Sequence, residues 1–259
     1  MKRIMILLVF VFLASGIIFL FVFANIRQNE VICKRFEIEI DYNKAQPLIN
    51  KSTIKRQITK AEIRIKGQPV STIKIKSLQK LLNKNPYIKK ATVSIGVDGI
   101  ITAHILQRDP LVRVIDYNYN ECLIDHDGYM MPVNADFPVR LVLANGNIKK
   151  INTNNINRFD KHNRPMLQSE LSKIYKTALA LEDDSLTSAL VEQIYLNQDN
   201  ELELIPKIGD QSILIGDTTG LDDKLERLKI FYTKGMRNDA WNTYKVINLK
   251  YQNQVVCSK

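Results

Sequence analysis

The sequence Asp125-His126-Asp127 is the arrangement in this chain that most resembles an acid–base site, because two carboxylates flank an imidazole. A histidine held by a carboxylate can exchange protons with a substrate near neutral pH. However, Gly128 follows directly, and Asp and Gly are the residues that tight turns require. We therefore interpret the motif as the turn of a hairpin. The rival hypothesis is an enzyme that uses this motif for catalysis.

The other histidines and the cysteines do not form a recognised reactive pattern. His104 and His162 lie outside any HExxH motif and next to no nucleophile. Cys33, Cys122 and Cys257 are three in number and far apart, so they provide neither CxxC nor Cys/His metal spacing. One disulfide bond and three buried thiols both remain compatible with them.

Two further groups also lack the context that chemistry requires. Gly96 and Gly99 do not extend into a phosphate-binding loop, and Asp183-Asp184 is typical of a solvated helix end. The sequence therefore predicts no catalytic residue, no metal site, no cofactor and no small-molecule substrate.

Residues 4–24 form a stretch of 21 residues without a charge. As a helix it would span about 31 Å, roughly the hydrocarbon thickness of a bilayer. A cleaved signal peptide is the alternative, but Val22-Phe23-Ala24 offers Val where a small residue is required, and the apolar core is too long. We predict an uncleaved transmembrane helix over residues 4–25.

The charges beside this stretch do not decide its orientation, because basic residues flank both ends. These flanking charges are Lys2, Arg3, Glu30, Lys34, Arg35 and Arg27. Since only residues 1–3 precede the stretch, we expect a cytoplasmic N-terminus and about 230 residues outside the cytoplasm, joined by a linker at 26–32.

The net charge of +10 is concentrated between Lys44 and Lys90, where 13 basic residues accompany one acid, Glu62. Such a field attracts nucleic acid, anionic lipid or acidic protein. Outside the cytoplasm, anionic lipid and acidic protein remain as candidate partners. Binding of nucleic acid would need the opposite orientation of the chain in the membrane. A merely solvated face is equally compatible, because several of the lysines alternate with apolar residues.

Hydrophobic periodicity predicts a compact α+β module after the linker, in the order β-α-α-β-β. Its elements are a strand at 36–41, a helix at 52–60 capped by Ser52, a helix from Ser77 to near Asn85, and a hairpin at 91–106. Only a three-residue hairpin loop, 97–99, places the apolar residues of both strands on one face. Gly99 then adopts the left-handed conformation.

After Pro110 the pattern changes to a mixed α/β domain with a mainly antiparallel sheet. The predicted strands lie at 111–115, 122–124, 129–132, 139–143, 191–197, 201–206, 212–215 and 244–256, with helices around 167–179 and 221–231. The last strand of a chain is often an edge strand with unpaired backbone groups.

Several short motifs follow one another along the chain in a characteristic order and spacing. They are Asn85-Pro86-Tyr87-Ile88, Ala91-x-Val93, Asp98-Gly99, Gln107-Arg108-x-Pro110, Leu123-Ile124-Asp125, Asp127-Gly128, Met131-Pro132 and Ile247-Asn248-Leu249-Lys250-Tyr251. The chain thereby resembles the FtsQ/DivIB cell-division proteins of the Bacteroidetes type. The resemblance implies a POTRA domain at 33–108 and a β domain at 109–259 with a C-terminal edge strand.

The resemblance further implies a non-enzymatic protein of the cell inner membrane that assembles the division septum. Its partners would be an FtsB/FtsL-like pair and FtsW/FtsI-like synthases, with the bulk of the chain in the periplasm. A partner strand would extend the sheet at the last strand. The expected contact residues are Val246, Asn248, Lys250, Tyr251, Asn253, Arg227 and Lys229. Another POTRA-bearing envelope protein is the main rival.

Overall fold

A computed structural model describes residues 12–19, 31–43, 45–96, 98–151, 167–235 and 243–259. Residues 12–19 are helical. Within these described ranges, no helix has the length and apolar character needed to cross a membrane. Most of the predicted span at 4–25, and most of the linker at 26–32, lie outside the described residues. The chain divides into an N-terminal unit (1–43 and 49–107) and a C-terminal unit (44–48 and 108–259).

From residue 31 onward, the described part of the N-terminal unit has the predicted order β-α-α-β-β, with a short 3-10 helix (Val70–Thr72) between the two α-helices. Its strands and α-helices are β1 (Arg35–Asp41), α1 (Lys51–Lys60), α2 (Ile75–Asn83), β2 (Ile88–Ile95) and β3 (Ile100–Gln107). The sheet order is β1-β3-β2, with β1 parallel and β2 antiparallel to the central β3.

The two helices of this unit bury residues at helical spacing against the sheet. Ile54 and Ile58 of α1 and Leu78 and Leu82 of α2 are buried in one apolar core, and each contributes about 1.5–3 kcal/mol. The predicted cap Ser52 was wrong by two positions: the Asn50 side chain accepts from the Thr53 amide at 2.9 Å. Asn50, rather than Ser52, caps the helix because its backbone is extended, as an N-cap residue requires.

The three-residue loop of the β2–β3 hairpin is confirmed. Ile95 pairs with Ile101, and the amide of Gly96 donates to the carbonyl of Ile100 at 2.8 Å, so three positions separate the bonded ends of the two strands. Gly99 has φ +80°, and a Cβ there would lie 2.7 Å from the carbonyl oxygen of Ile32. Both the backbone angle and the lack of space therefore require glycine.

In its described residues, the C-terminal unit has a nine-stranded mixed sheet and three α-helices, the last of which continues into a π-helical turn (Phe231–Gly235). Its strands are β4 (Pro110–Ile115), β5 (Glu121–Asp125), β6 (Met130–Pro132), β7 (Val142–Gly146), β8 (Val191–Leu196), β9 (Leu202–Pro206), β10 (Ser212–Gly216), β11 (Val246–Asn248) and β12 (Val256–Ser258), and its helices α3 (Ser169–Glu182), α4 (Ser185–Leu190) and α5 (Leu221–Ile230). The sheet order is β12-β11-β10-β9-β8-β7-β4-β5-β6.

Antiparallel pairings predominate in this sheet, as predicted. The parallel pairs are β10–β11, β4–β7 and β7–β8, and the other five are antiparallel. The helices bury Leu171, Ile174 and Leu228 in the same core as the strands. Burial raises the pKa of the Cys122 thiol to about 12, and all three cysteines are free thiols.

The largest correction concerns the C-terminus. The predicted single strand at 244–256 is wrong: β11 and β12 are two short strands joined by a turn, and β11 lies between β10 and β12. The strand expected at 139–143 begins three residues later, at Val142. The short helix α4 was not predicted. Asp184, within the Asp183-Asp184 pair, caps it by accepting from the amides of Leu186 and Thr187.

Candidate interaction site at the C-terminal sheet edge

The strand β12 forms one edge of the nine-stranded sheet. It pairs with β11 in the register Val246↔Ser258, Ile247↔Cys257 and Asn248↔Val256. Within the part of the chain that the structure describes, no strand lies on the outer side of β12. Unpaired backbone groups of this kind can template the strand of another chain.

The register decides which backbone groups of β12 are open. The amide of Leu249 donates to the carbonyl of Leu214, so Ile247, two residues earlier, also directs its backbone toward β10. Because backbone direction alternates along a strand, Asn248 faces β12, and Val256 faces it in return. The amide and carbonyl of Cys257 therefore point to the open edge. The side chain of Val256 is 42 % exposed beside them.

The segment between β11 and β12 is a turn that one arginine holds from inside. The Arg227 Nη1 donates to the carbonyls of Tyr251 at 2.7 Å and Gln254 at 2.5 Å, and Nη2 donates to that of Leu249 at 3.2 Å. Its Nε donates to Asp223 at 3.1 Å. The Arg227 side chain is only 14 % exposed, and each of its three nitrogens donates to a partner within the chain.

Lys229 is also engaged within the unit. Its Nζ lies 2.5 Å from Oδ2 of Asp184, the residue that caps α4. The hydrogen bond and charge of Asp184 raise the pKa of Lys229, and Lys229 in turn lowers that of Asp184. The pair joins α5 to the beginning of α4.

Lys250 forms an ion pair with Glu201, the residue before β9, with its Nζ 2.9 Å and 3.0 Å from the two carboxylate oxygens. This hydrogen bond raises the pKa of Lys250. The stem of Lys250 covers Gly216: a Cβ at Gly216, which has φ +74°, would lie 2.9 Å from Cδ of Lys250.

The structure brings part of the predicted contact set together. Arg227, Lys250 and Asn253 line one cavity of about 380 Å³. The Tyr251 side chain is 51 % exposed, while Val246 and Asn248 are half-buried in β11. Sequence reasoning missed Val256 and Cys257, because the apolar alternation at 244–251 gave no sign that the strand stops and a second one follows.

Lys224 and Asp217 are further cavity residues that sequence reasoning missed. The Nζ of the buried Lys224 lies 3.0 Å from Oδ1 of Asp217. The hydrogen bond from Lys224 lowers the pKa of Asp217. No sequence motif marks this pair, in which six residues separate Asp217 from Lys224.

The Asp125-His126-Asp127 motif is a hairpin turn, as interpreted. Asp125 is 1 % exposed; it accepts from the amides of Asp127 and Tyr129 and from Nη1 of Arg108 at 2.8 Å. Burial raises the pKa of Asp125, and Arg108 opposes that shift. Among the described residues, no group of three His, Cys, Asp or Glu side chains could hold a metal ion.

Two comparisons with known families match most of the chain. Residues 109–258 match the family described as FtsQ/DivIB, C-terminal related. Residues 31–106 match the POTRA-like domain. No protein of curated function gives a significant match. The first match covers more than half of the chain, and the second covers the β-α-α-β-β unit.

Proposed function

Because the chain belongs to the FtsQ/DivIB family, a non-catalytic family of cell-division proteins, we propose that it is a membrane-anchored scaffold of the division septum. Residues 4–25 cross the inner membrane with the N-terminus in the cytoplasm. The linker at 26–32, the POTRA domain at 33–108 and the β domain at 109–259 lie in the periplasm. The protein recruits an FtsB/FtsL-like pair and, with it, FtsW/FtsI-like synthases.

The open edge of β12 is the observation that carries this proposal. A partner segment adds a tenth strand there and pairs with the amide and carbonyl of Cys257. Backbone hydrogen bonds supply affinity, and exposed side chains select the partner. Val256 on the strand and Tyr251 in the preceding turn are the apolar groups available for that selection.

The residues around the edge have two different roles in this proposal. Tyr251 and Asn253 contact the partner directly, and Lys250 borders the contact. Arg227, one of the expected contact residues, acts on the interface by holding the turn through three carbonyls. Lys229 acts from further away, because it fixes α5 to Asp184.

The test removes one backbone donor from the open edge. Cys257→Pro deletes an amide that faces away from β11, and proline is tolerated on edge strands. We expect this variant to melt close to the unmodified protein and to lose capture of the FtsB/FtsL-like pair. Cys257→Ala keeps the amide and is the matched control that retains capture. Undiminished capture by Cys257→Pro would exclude the edge as the docking site.

A further inference from the structure

The N-terminal unit has a groove of about 410 Å³ between α1 and the turn that joins α2 to β2. Three cationic side chains line it, and no carboxylate does. The lining residues are Thr53, Arg56, Gln57, Lys60, Lys84, Asn85, Pro86 and Tyr87. A concave site with several cations and no acid attracts anions.

The floor of this groove is fixed by amide side chains. Asn85 Nδ2 donates to Gln57 Oε1 at 2.9 Å, and Gln57 Nε2 donates to the carbonyl of Leu81 at 3.0 Å. Asn85 Oδ1 accepts from the amide of Tyr87 at 3.1 Å. These bonds tie α1 to the following turn, so the groove is formed before any ligand arrives.

The three cations at the groove are available to an outside anion. Arg56, Lys60 and Lys84 are exposed. None of these side chains has a hydrogen bond or ion pair with any residue that the structure describes. Tyr87 is half-buried beside them, and burial raises its pKa, which keeps the phenol neutral.

More cations extend from the groove along both helices. Lys76 and Lys80 of α2 and Lys84 at its C-terminal cap are four residues apart and exposed, and Arg56 and Lys60 repeat that spacing on α1. The acids of β1 lie on a different element, where Glu37 pairs with Arg35 and Glu39 pairs with His104. Both helices therefore carry cations and no acid, although Glu62 follows α1 and Lys89 and Lys90 add cations on β2.

We propose that this groove binds the phosphate of an anionic phospholipid headgroup, and that α1 and α2 lie against the membrane surface. Only ten residues separate Ala24 from Arg35, so the unit remains within about 36 Å of the end of the apolar stretch. Cations spread over two helices suit a surface with many phosphates better than they suit one small anion. The inference rests on the anchoring that the proposed function includes.

The experiment compares nanodiscs that hold the full chain. One set contains phosphatidylcholine alone, and the other contains phosphatidylcholine with phosphatidylglycerol. We expect a severalfold slowing of amide hydrogen exchange at residues 51–60 and 84–90 only with phosphatidylglycerol, and loss of that slowing at high salt. The variant R56E/K60E/K84E should lose the effect. K150E/K234E/K259E, with the same charge change at exposed sites, should keep it.

Equal exchange in both lipid sets would overturn the inference, and so would the same slowing by inorganic phosphate in phosphatidylcholine discs. R56Q/K60Q/K84Q repeats the test without reversed charge, in case the glutamate variant does not fold. Extraction of the chain from membranes by alkaline carbonate would refute the transmembrane anchor but not lipid binding by the groove. Flotation of the released chain with phosphatidylglycerol vesicles would then support lipid binding by the groove, and absence of flotation would overturn it. Capture of the FtsB/FtsL-like pair by R56Q/K60Q/K84Q reports separately on the proposed function.

Discussion

The Nη1 atom of Arg227 lies 2.7 Å from the carbonyl oxygen of Tyr251. This contact ties the α5 helix to the turn that precedes the edge strand β12. Since the same guanidinium also reaches the carbonyls of Leu249 and Gln254, one side chain fixes the path of the chain between β11 and β12.

Replacement of Arg227 by glutamine should loosen that turn. The change removes charge-assisted hydrogen bonds to three carbonyls, and we expect the free energy of unfolding to fall by about 1–3 kcal/mol. Denaturant unfolding measures this loss, and capture of the FtsB/FtsL-like pair should weaken in parallel. Asp223→Asn is the control: Asp223 is mostly exposed, so its loss should cost at most about 1 kcal/mol. Equal stability of the two variants would refute the role given to Arg227.

Replacement of Arg108 by leucine tests whether its ion pair with Asp125 stabilises the hairpin turn at 125–129. Arg108 is the ion-pair partner of the buried Asp125 and stacks over the Tyr129 ring at 3.6 Å. We expect a loss of about 3–5 kcal/mol, because a buried carboxylate is left without its cation.

The double variant Arg108→Leu/Asp125→Asn should recover part of that loss, because no charge is then left buried. Chemical denaturation of both variants measures the difference. If Arg108→Leu were as stable as the unmodified protein, the Arg108–Asp125 pair would not stabilise the fold.

His126 makes the stability of the C-terminal unit depend on pH. Burial favours the neutral ring, but the hydrogen bonds to the Asp109 carbonyl at 3.0 Å and to Glu182 at 2.5 Å, together with the charges of both carboxylates, outweigh it. The pKa of His126 is therefore raised above its usual value. The stabilisation is complete below the unfolded pKa of about 6.5 and is lost as pH rises through the folded value.

Thermal unfolding between pH 5.5 and 8.5 should consequently show stability that decreases with pH. His126→Asn should flatten that part of the profile. Glu182→Gln, which keeps a hydrogen-bond acceptor but removes a charge, should reduce it without abolishing it. A pH profile that is the same in His126→Asn and in the unmodified protein would show that other groups cause the dependence.

Local sequence signals were sufficient for the N-terminal unit. Its order of elements and the left-handed Gly99 follow from apolar spacing and turn chemistry, both of which act over a few residues. The helix cap was misplaced by two positions because Asn50 and Ser52 are both good caps. Only the backbone at Asn50, which the sequence does not reveal, distinguishes them.

The C-terminal edge required information from distant residues. Alternation from Val246 to Tyr251 predicts a longer strand, yet β11 ends at Asn248, whose side chain accepts from the amide of Lys250 at 2.9 Å. Arg227 then binds the turn from 22 to 27 residues away. Such a long-range contact leaves no periodic signal in the sequence. The edge strand was therefore predicted as one long strand at 244–256, whereas β12 alone forms this edge.

Two glycines with left-handed backbones provide a matched test of the Lys250 contact. Gly216 has φ +74° and lies under the Lys250 stem, whereas Gly220 has φ +59° and no atom within 4 Å of an added Cβ. Alanine at either position should cost about 1–2 kcal/mol through backbone strain. Gly216→Ala should in addition displace Lys250 from Glu201 and reduce capture of the FtsB/FtsL-like pair. Gly220→Ala should leave capture intact. Thermal melts with parallel pull-downs separate the two effects, and equal capture by both variants would remove Lys250 from the interface.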